Sequence, residues 1–253
     1  MATTLLWSAG IVLETVILYR FLSRRLFRHY PFFFAYMAIV WTSSIALWPI
    51  YHWNYSAYAN FFWAKQFLAV LAGFGVLLEI VHKGFQRYPG ARALATTVVV
   101  GMFVILVGYF AYLLRVTPLE QANGRFSDLE RDFRTMQALT LGGILGLIAY
   151  YGIDVGRNLR GIISGIGLYV GTTILGHALR DYAGPSFEHG WQAVQPYTYL
   201  VALLIWTATL WSYAPAPAPE ELPELDYDYE AFARRTKEQL GTVRTLVSKV
   251  ERP

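Results

Sequence analysis

A chain of 253 residues with 55% hydrophobic, 17% aromatic and only 15% charged residues is too apolar for an ordinary soluble domain, which carries about 25% charged residues. The absence of cysteine excludes a disulfide-built scaffold, a thiolate metal centre, an iron–sulfur cluster and a thiol nucleophile. A net charge of +4 and an isoelectric point near 9.2 do not require nucleic acid, because the basic residues fall in short stretches between long apolar runs.

The hydrocarbon core of a bilayer is about 30 Å thick, so a spanning helix needs about 20 mostly apolar residues. Seven stretches meet that need: residues 3–22, 31–51, 61–82, 93–114, 137–155, 161–179 and 194–213. The expected fold class is all-α, a polytopic bundle of seven transmembrane helices over residues 1–213. The first stretch lacks a basic leader and ends in YRFLSRRLFRHY rather than at a small-residue cleavage site. It reads as a retained helix, not a signal peptide.

Between the fourth and fifth stretches lies RVTPLEQANGRFSDLERDFRTM. Ser127 and Glu130 stand at capping-box spacing there, which predicts that the fifth helix starts before its apolar run. The four arginines and four acids of this segment read as a solvated surface. The fifth and sixth stretches are joined by a short turn at 156–160. Glycines four residues apart (Gly142 and Gly146, Gly152 and Gly156, Gly161 and Gly165, Gly167 and Gly171) predict close approach of these two helices, or else a contact face for another chain. Beyond them, residues 214–229 form a Pro-rich acidic linker in this reading, and 230–253 an amphipathic helix. Its apolar stripe of Phe232, Leu240, Val243, Val247 and Val250 suits a membrane surface or a protein partner.

Lysine and arginine set the expected orientation. One set of connections holds Arg20, Arg24, Arg25 and Arg28, then Lys83, Arg87 and Arg92, then Arg157 and Arg160, and the tail adds six more. The opposite set holds five, and Lys65 lies within a span. The N-terminus is therefore expected outside and the tail in the cytoplasm of a multi-pass cell-membrane protein.

Ionisable groups within spans are costly and are functional candidates by default. Glu14 lies in the first stretch, Lys65 and Glu79 in the third, and His177 near the outer end of the sixth. One reading places Glu14 and Glu79 together in the inner half as an ion-paired or proton-accepting pair. The other has Lys65 and Glu79 reaching headgroups, with His177 an interfacial histidine. Glu14 is the deepest, and it is expected to face the interior and to find a partner there, a Lys or Arg from an inner helix end or the hydroxyl of a tyrosine such as Tyr150. On the outer side, His52, His177, Asp181, Glu188 and His189 come from scattered segments without metal-ligand spacing, so no metal is assigned. Aromatic residues crowd the same side, among them Trp48, Tyr51, Trp63 and Tyr197, beyond what interfacial anchoring needs. They suggest an outward-opening apolar pocket.

No phosphate loop, nucleophile elbow or kinase signature occurs, and no motif calls for a cofactor. The layout of seven helices with the N-terminus outside resembles that of microbial rhodopsins. The seventh stretch, VQPYTYLVALLIWTATLWSY, has no lysine for a retinal Schiff base. The layout also resembles, in topology alone, the seven-helix sensor modules of bacterial signalling proteins. The expected function is a non-enzymatic receptor- or sensor-like bundle. The alternatives are a transporter or channel using Glu14, Lys65 and Glu79 as a polar path, and an accessory subunit that meets its partner through the tail or the glycine faces.

Overall fold

The computed structural model describes residues 2–53, 55–116, 122–183 and 185–214. The linker and amphipathic helix expected after residue 214 lie outside them. All regular structure among the described residues is helical: α1 (Ala2–Ser23), a 3-10 turn (Leu26–Arg28), α2 (Pro31–Trp53), α3 (Tyr55–Gly84), α4 (Pro89–Val116), α5 (Ala122–Tyr150), α6 (Arg157–Ala183) and α7 (Pro185–Thr209). Among the described residues, four stretches are long and apolar enough to cross a membrane: Leu5–Ser23, Ala64–Gly84, Pro89–Tyr112 and Arg157–Gly176. Pro31–Leu47 is apolar but shorter.

Proline starts α2, α4 and α7, the position where its fixed φ and missing N–H cost nothing. The turn between α1 and α2 places Arg25 at φ 54, a left-handed conformation unusual for a side chain other than glycine. At the far end of α5, Gly152 adopts φ 59 and its N–H donates to Ala149, while Ile153 donates to Ile148. This glycine stop ends the helix at Tyr150 rather than at the expected 155, and 151–156 connect to α6. The early start of α5 is present, but Ser127 lies inside the helix and is not its cap. Helix α7 likewise ends at Thr209, short of the expected 213.

Side-chain contacts set the directions of the helices. Phe33 meets Glu79, Phe67 and Phe74 meet Phe110 and Phe103 in reverse order, and Asn158 meets Ser212, so α2–α3, α3–α4 and α6–α7 are antiparallel pairs. Phe67 meets Phe133 while Val70 meets Gln137, and Glu14 meets Tyr199 while Arg20 meets Trp211. The pairs α3–α5 and α1–α7 therefore run parallel. Packing follows the circuit α1, α2, α3, α5, α6, α7 and back to α1, a closed ring of six. Helix α4 packs outside it, against α3 and α5. Its apolar window is only 17% buried, which marks it as the peripheral helix.

The centre of the ring is apolar and aromatic. Phe21, Phe33, Met37, Phe74, Leu77, Ile162, Leu203 and Trp206 are fully buried. The Trp206 ring stands edge-on to Phe33, with centroids 5.2 Å apart, a favoured aromatic geometry. Gly165 makes room for it, since a Cβ there would collide with the indole. Gly161 does the same for Thr209. The expected approach of α5 and α6 through glycine is met only in part: Gly167 meets Leu141 of α5 at 3.7 Å, but Gly161, Gly165 and Gly176 of α6 face Thr209, Trp206 and Trp191 of α7, and Gly142, Gly146 and Gly171 have open space where a Cβ would stand. Bulky partners on α7, invisible to a pattern of small residues on α6, decided the pairing.

Candidate functional site

Above the Trp206 layer, toward the start of α1, the ring opens into a cavity of about 380 Å³. Each of the six ring helices contributes: α1 gives Glu14, α2 gives Tyr36 and Ser44, α3 gives Lys65 and Gln66, α5 gives Arg134, α6 gives Tyr169, and α7 gives Gln195 and Tyr199. Among the described residues, none of α4 lines it.

Glu14 is 1% exposed. An acidic group at this depth calls for compensation, and the chain supplies it from α7. The Tyr199 hydroxyl donates to Glu14 Oε1 at 2.7 Å. The expected interior orientation is met, and of the expected partners the one that donates is a tyrosine hydroxyl, from Tyr199 rather than Tyr150, which is 67% exposed. The second carboxylate oxygen, Oε2, is buried and makes no hydrogen bond of regular geometry, although the Ser44 hydroxyl also acts on the carboxylate. Lys65 faces the same carboxylate electrostatically and also lines the cavity, so it looks inward rather than toward headgroups. Its ammonium lies 6.0 Å from the Phe62 ring.

Arg134 is 3% exposed, with its guanidinium 5.4 Å from the Tyr169 ring, a cation–π distance. Tyr169 in turn packs edge-on against Tyr199 at 5.5 Å. Tyr36 joins the cavity to the core: it lines the one and contacts Phe33 and Trp206 in the other. Three tyrosines, one carboxylate and two cationic side chains therefore surround a single space. Such a lining combines aromatic walls with a few polar groups that can fix a ligand's orientation.

Glu79 stands elsewhere. Its carboxylate accepts the backbone N–H of Phe33 at 2.9 Å and of Phe32 at 3.4 Å, holding the first turn of α2. Those N–H groups have no partner within their own helix, and the helix dipole favours a negative charge beside them. The proposed pairing of Glu14 with Glu79 is not found. Buried Phe74, Val76 and Leu77 occupy the stretch of α3 between Lys65 and Glu79, so the two do not mark one open path.

Tyr197 is 54% exposed and points away from the cavity. The side chains of Trp48, Tyr51, Trp63 and His177 lie outside the described residues, as do those of His52, Asp181, Glu188 and His189. Arg134, Tyr36 and Tyr169 were missed from sequence. A signal for Arg134 existed, because stepping back along α5 from Gln137 by one turn lands on Phe133 and Arg134. Comparison with protein-family models, with curated proteins and with solved structures finds no match.

Proposed function

We propose that the chain is a multi-pass membrane protein of seven spanning helices, its N-terminus outside and its tail in the cytoplasm. Its function in this reading is receptor- or sensor-like: it binds a small solute in the outer half of the ring. One observation carries the reading. A cavity with a buried carboxylate, two cationic groups and tyrosine walls sits over a closed aromatic floor of Tyr36, Phe33 and Trp206. A cavity lined so mixedly is poor at holding lipid chains and suited to a polar ligand. The floor argues for binding without passage.

A second reading, transport, draws on a second cavity of about 370 Å³ at the opposite end of the α6–α7 pair. It is lined by Arg157, Arg160, Gly161, Ser164 and Thr209.

The natural lack of cysteine makes the test clean. Ser44→Cys, in the first cavity, is expected to react in intact cells with a charged, membrane-impermeant thiol reagent. Ser164→Cys, in the second, is expected to react only after permeabilisation. Failure of the Ser44→Cys variant to label from outside overturns the outward-opening site. Labelling of both from outside favours transport.

A further inference from the structure

The second cavity, of about 370 Å³, lies between the start of α6 and the end of α7. Arg157 and Arg160 both line it, three residues apart and so on one face of α6. Each is engaged through a single nitrogen. Arg157 Nη2 donates to the Ser212 carbonyl at 3.2 Å and to its hydroxyl at 2.8 Å, both neutral acceptors. Arg160 Nη2 donates to Asp154 at 2.8 Å and to the Val155 carbonyl at 3.4 Å. A guanidinium carries five donors in a planar fork, so among the described residues Nε and Nη1 of both arginines are left for another acceptor. One carboxylate, Asp154, answers the two positive charges on this lining. Its pair with Arg160 is open to solvent, the side chains being 61% and 66% exposed, and such a pair is weak enough for a competing anion to displace.

The backbone beside them has the same preference. The Arg160 N–H bonds back to the Gly156 carbonyl, so the N–H groups of Arg157, Asn158 and Leu159 precede the first bond of the helix. The first turn holds no acidic residue, and the Asn158 side chain is turned to Thr209, Ser212 and Ala214 instead. A helix start favours an anion but does not by itself make a site; two guanidinium forks over a shared cavity do. We propose that this cavity binds a phosphate group, held by Arg157 and Arg160 at the start of α6. The two forks and the helix start call for acceptors in three directions, which tetrahedral phosphate oxygens supply and a planar carboxylate does not. The cavity is larger than a phosphate alone needs, and Val155, Ile205 and Ala214 wall it with apolar surface, which suits a phosphate esterified to a larger group. The headgroup of an anionic lipid and a free phosphate share this chemistry. The site is independent of the cavity around Glu14.

The test uses the purified full chain in detergent and reads its melting temperature against two probes. One is sodium phosphate, with sodium chloride at equal ionic strength as the blank. The other is phosphatidylglycerol in mixed micelles, with diacylglycerol, which has the same chains and no phosphate, as the blank. A saturable rise is expected with at least one probe. A rise with inorganic phosphate marks free phosphate as sufficient, and a rise with phosphatidylglycerol alone marks the lipid headgroup as the source. Arg160→Gln, which loses only an exposed pair, is expected to weaken the response about tenfold and to leave the melting temperature without probe unchanged. Arg157→Gln is expected to weaken the response at least as much. Arg24→Gln, in the turn after α1 at the same end of the ring, is expected to leave it unchanged. Silence toward both probes overturns the site, and so does a response that survives both Arg157→Gln and Arg160→Gln. An equal loss in Arg24→Gln overturns it too, because that result reports surface charge alone. None of these results touches the cavity around Glu14, which the Ser44→Cys labelling decides separately.

Discussion

Glu79 is buried and answers two backbone N–H groups at the start of α2, and its replacement is the most direct test of the packing described. Glu79→Gln keeps the size but leaves one acceptor oxygen, and turns an amide NH2 toward the other backbone donor. Phe33 is fully buried, so its N–H cannot turn to water instead. A hydrogen bond to a charged group contributes about 1.5–3 kcal/mol, and an orphaned buried donor costs about 1–3 kcal/mol. The carboxylate at the helix start adds about 0.3–1 kcal/mol. These terms overlap, so we expect a loss of about 2 kcal/mol for Glu79→Gln and about 3 kcal/mol for Glu79→Ala. At roughly 2–4 °C per kcal/mol for a chain of this size, Tm falls by about 4–8 °C in the first case and further in the second. Thermal melts in detergent followed by tryptophan fluorescence measure this directly. Melts within 1 °C of the parent for both variants would refute the capping role and return Glu79 to the list of groups free for function.

Gly165→Ala drives a methyl group into the Trp206 ring and is expected to cost about 1–3 kcal/mol, whereas Gly171→Ala, with nothing in contact, changes stability by less than about 0.5 kcal/mol. Equal melting temperatures for the two variants would show that α6 and α7 do not meet through Gly165. Arg25→Gly relieves the left-handed conformation, so it is expected to exceed Arg25→Ala in stability by about 1 kcal/mol in the same melt. A more stable alanine variant would place that turn in another conformation.

The spans in α1, α3 and α4 were legible because each is a long apolar run and length against bilayer thickness suffices, whereas the apolar stretch of α2 is shorter than such a span and α3 starts ahead of its apolar run. The end of α5 was not, since Ile153 and Val155 continue the apolar pattern and only the sign of φ at Gly152 stops it. The burial of Glu14 was legible from cost alone. Its partner was not, because Tyr199 lies 185 residues away and comes near only through the order of helices around the ring. Arg134 was hidden by its neighbours: flanked by Asp132 and Arg131, it reads as part of a solvated run, while helical phase carries it onto the inner face with Phe133 and Gln137. Composition reports how much charge a segment holds, and only periodicity reports which of it turns inward.

The ring closes between its first helix and its last. At one end Arg20 lies over Trp211 at 3.4 Å and His29 stacks on Tyr213 at 4.0 Å, while Asn158 holds the carbonyls of Thr209 and Ser212. At the other, Tyr199 reaches Glu14. A ribosome makes α1 long before α7, so for most of synthesis Glu14 waits without the hydroxyl that will hold it. The α6–α7 hairpin has to arrive before α1 gains its neighbour, and this is the slow, non-local kind of contact that limits assembly. Every ring helix lines the cavity, α7 included, so no shortened intermediate possesses it. The site comes into being only when the last helix enters, and a ligand present at that moment would act on folding as well as on the finished protein.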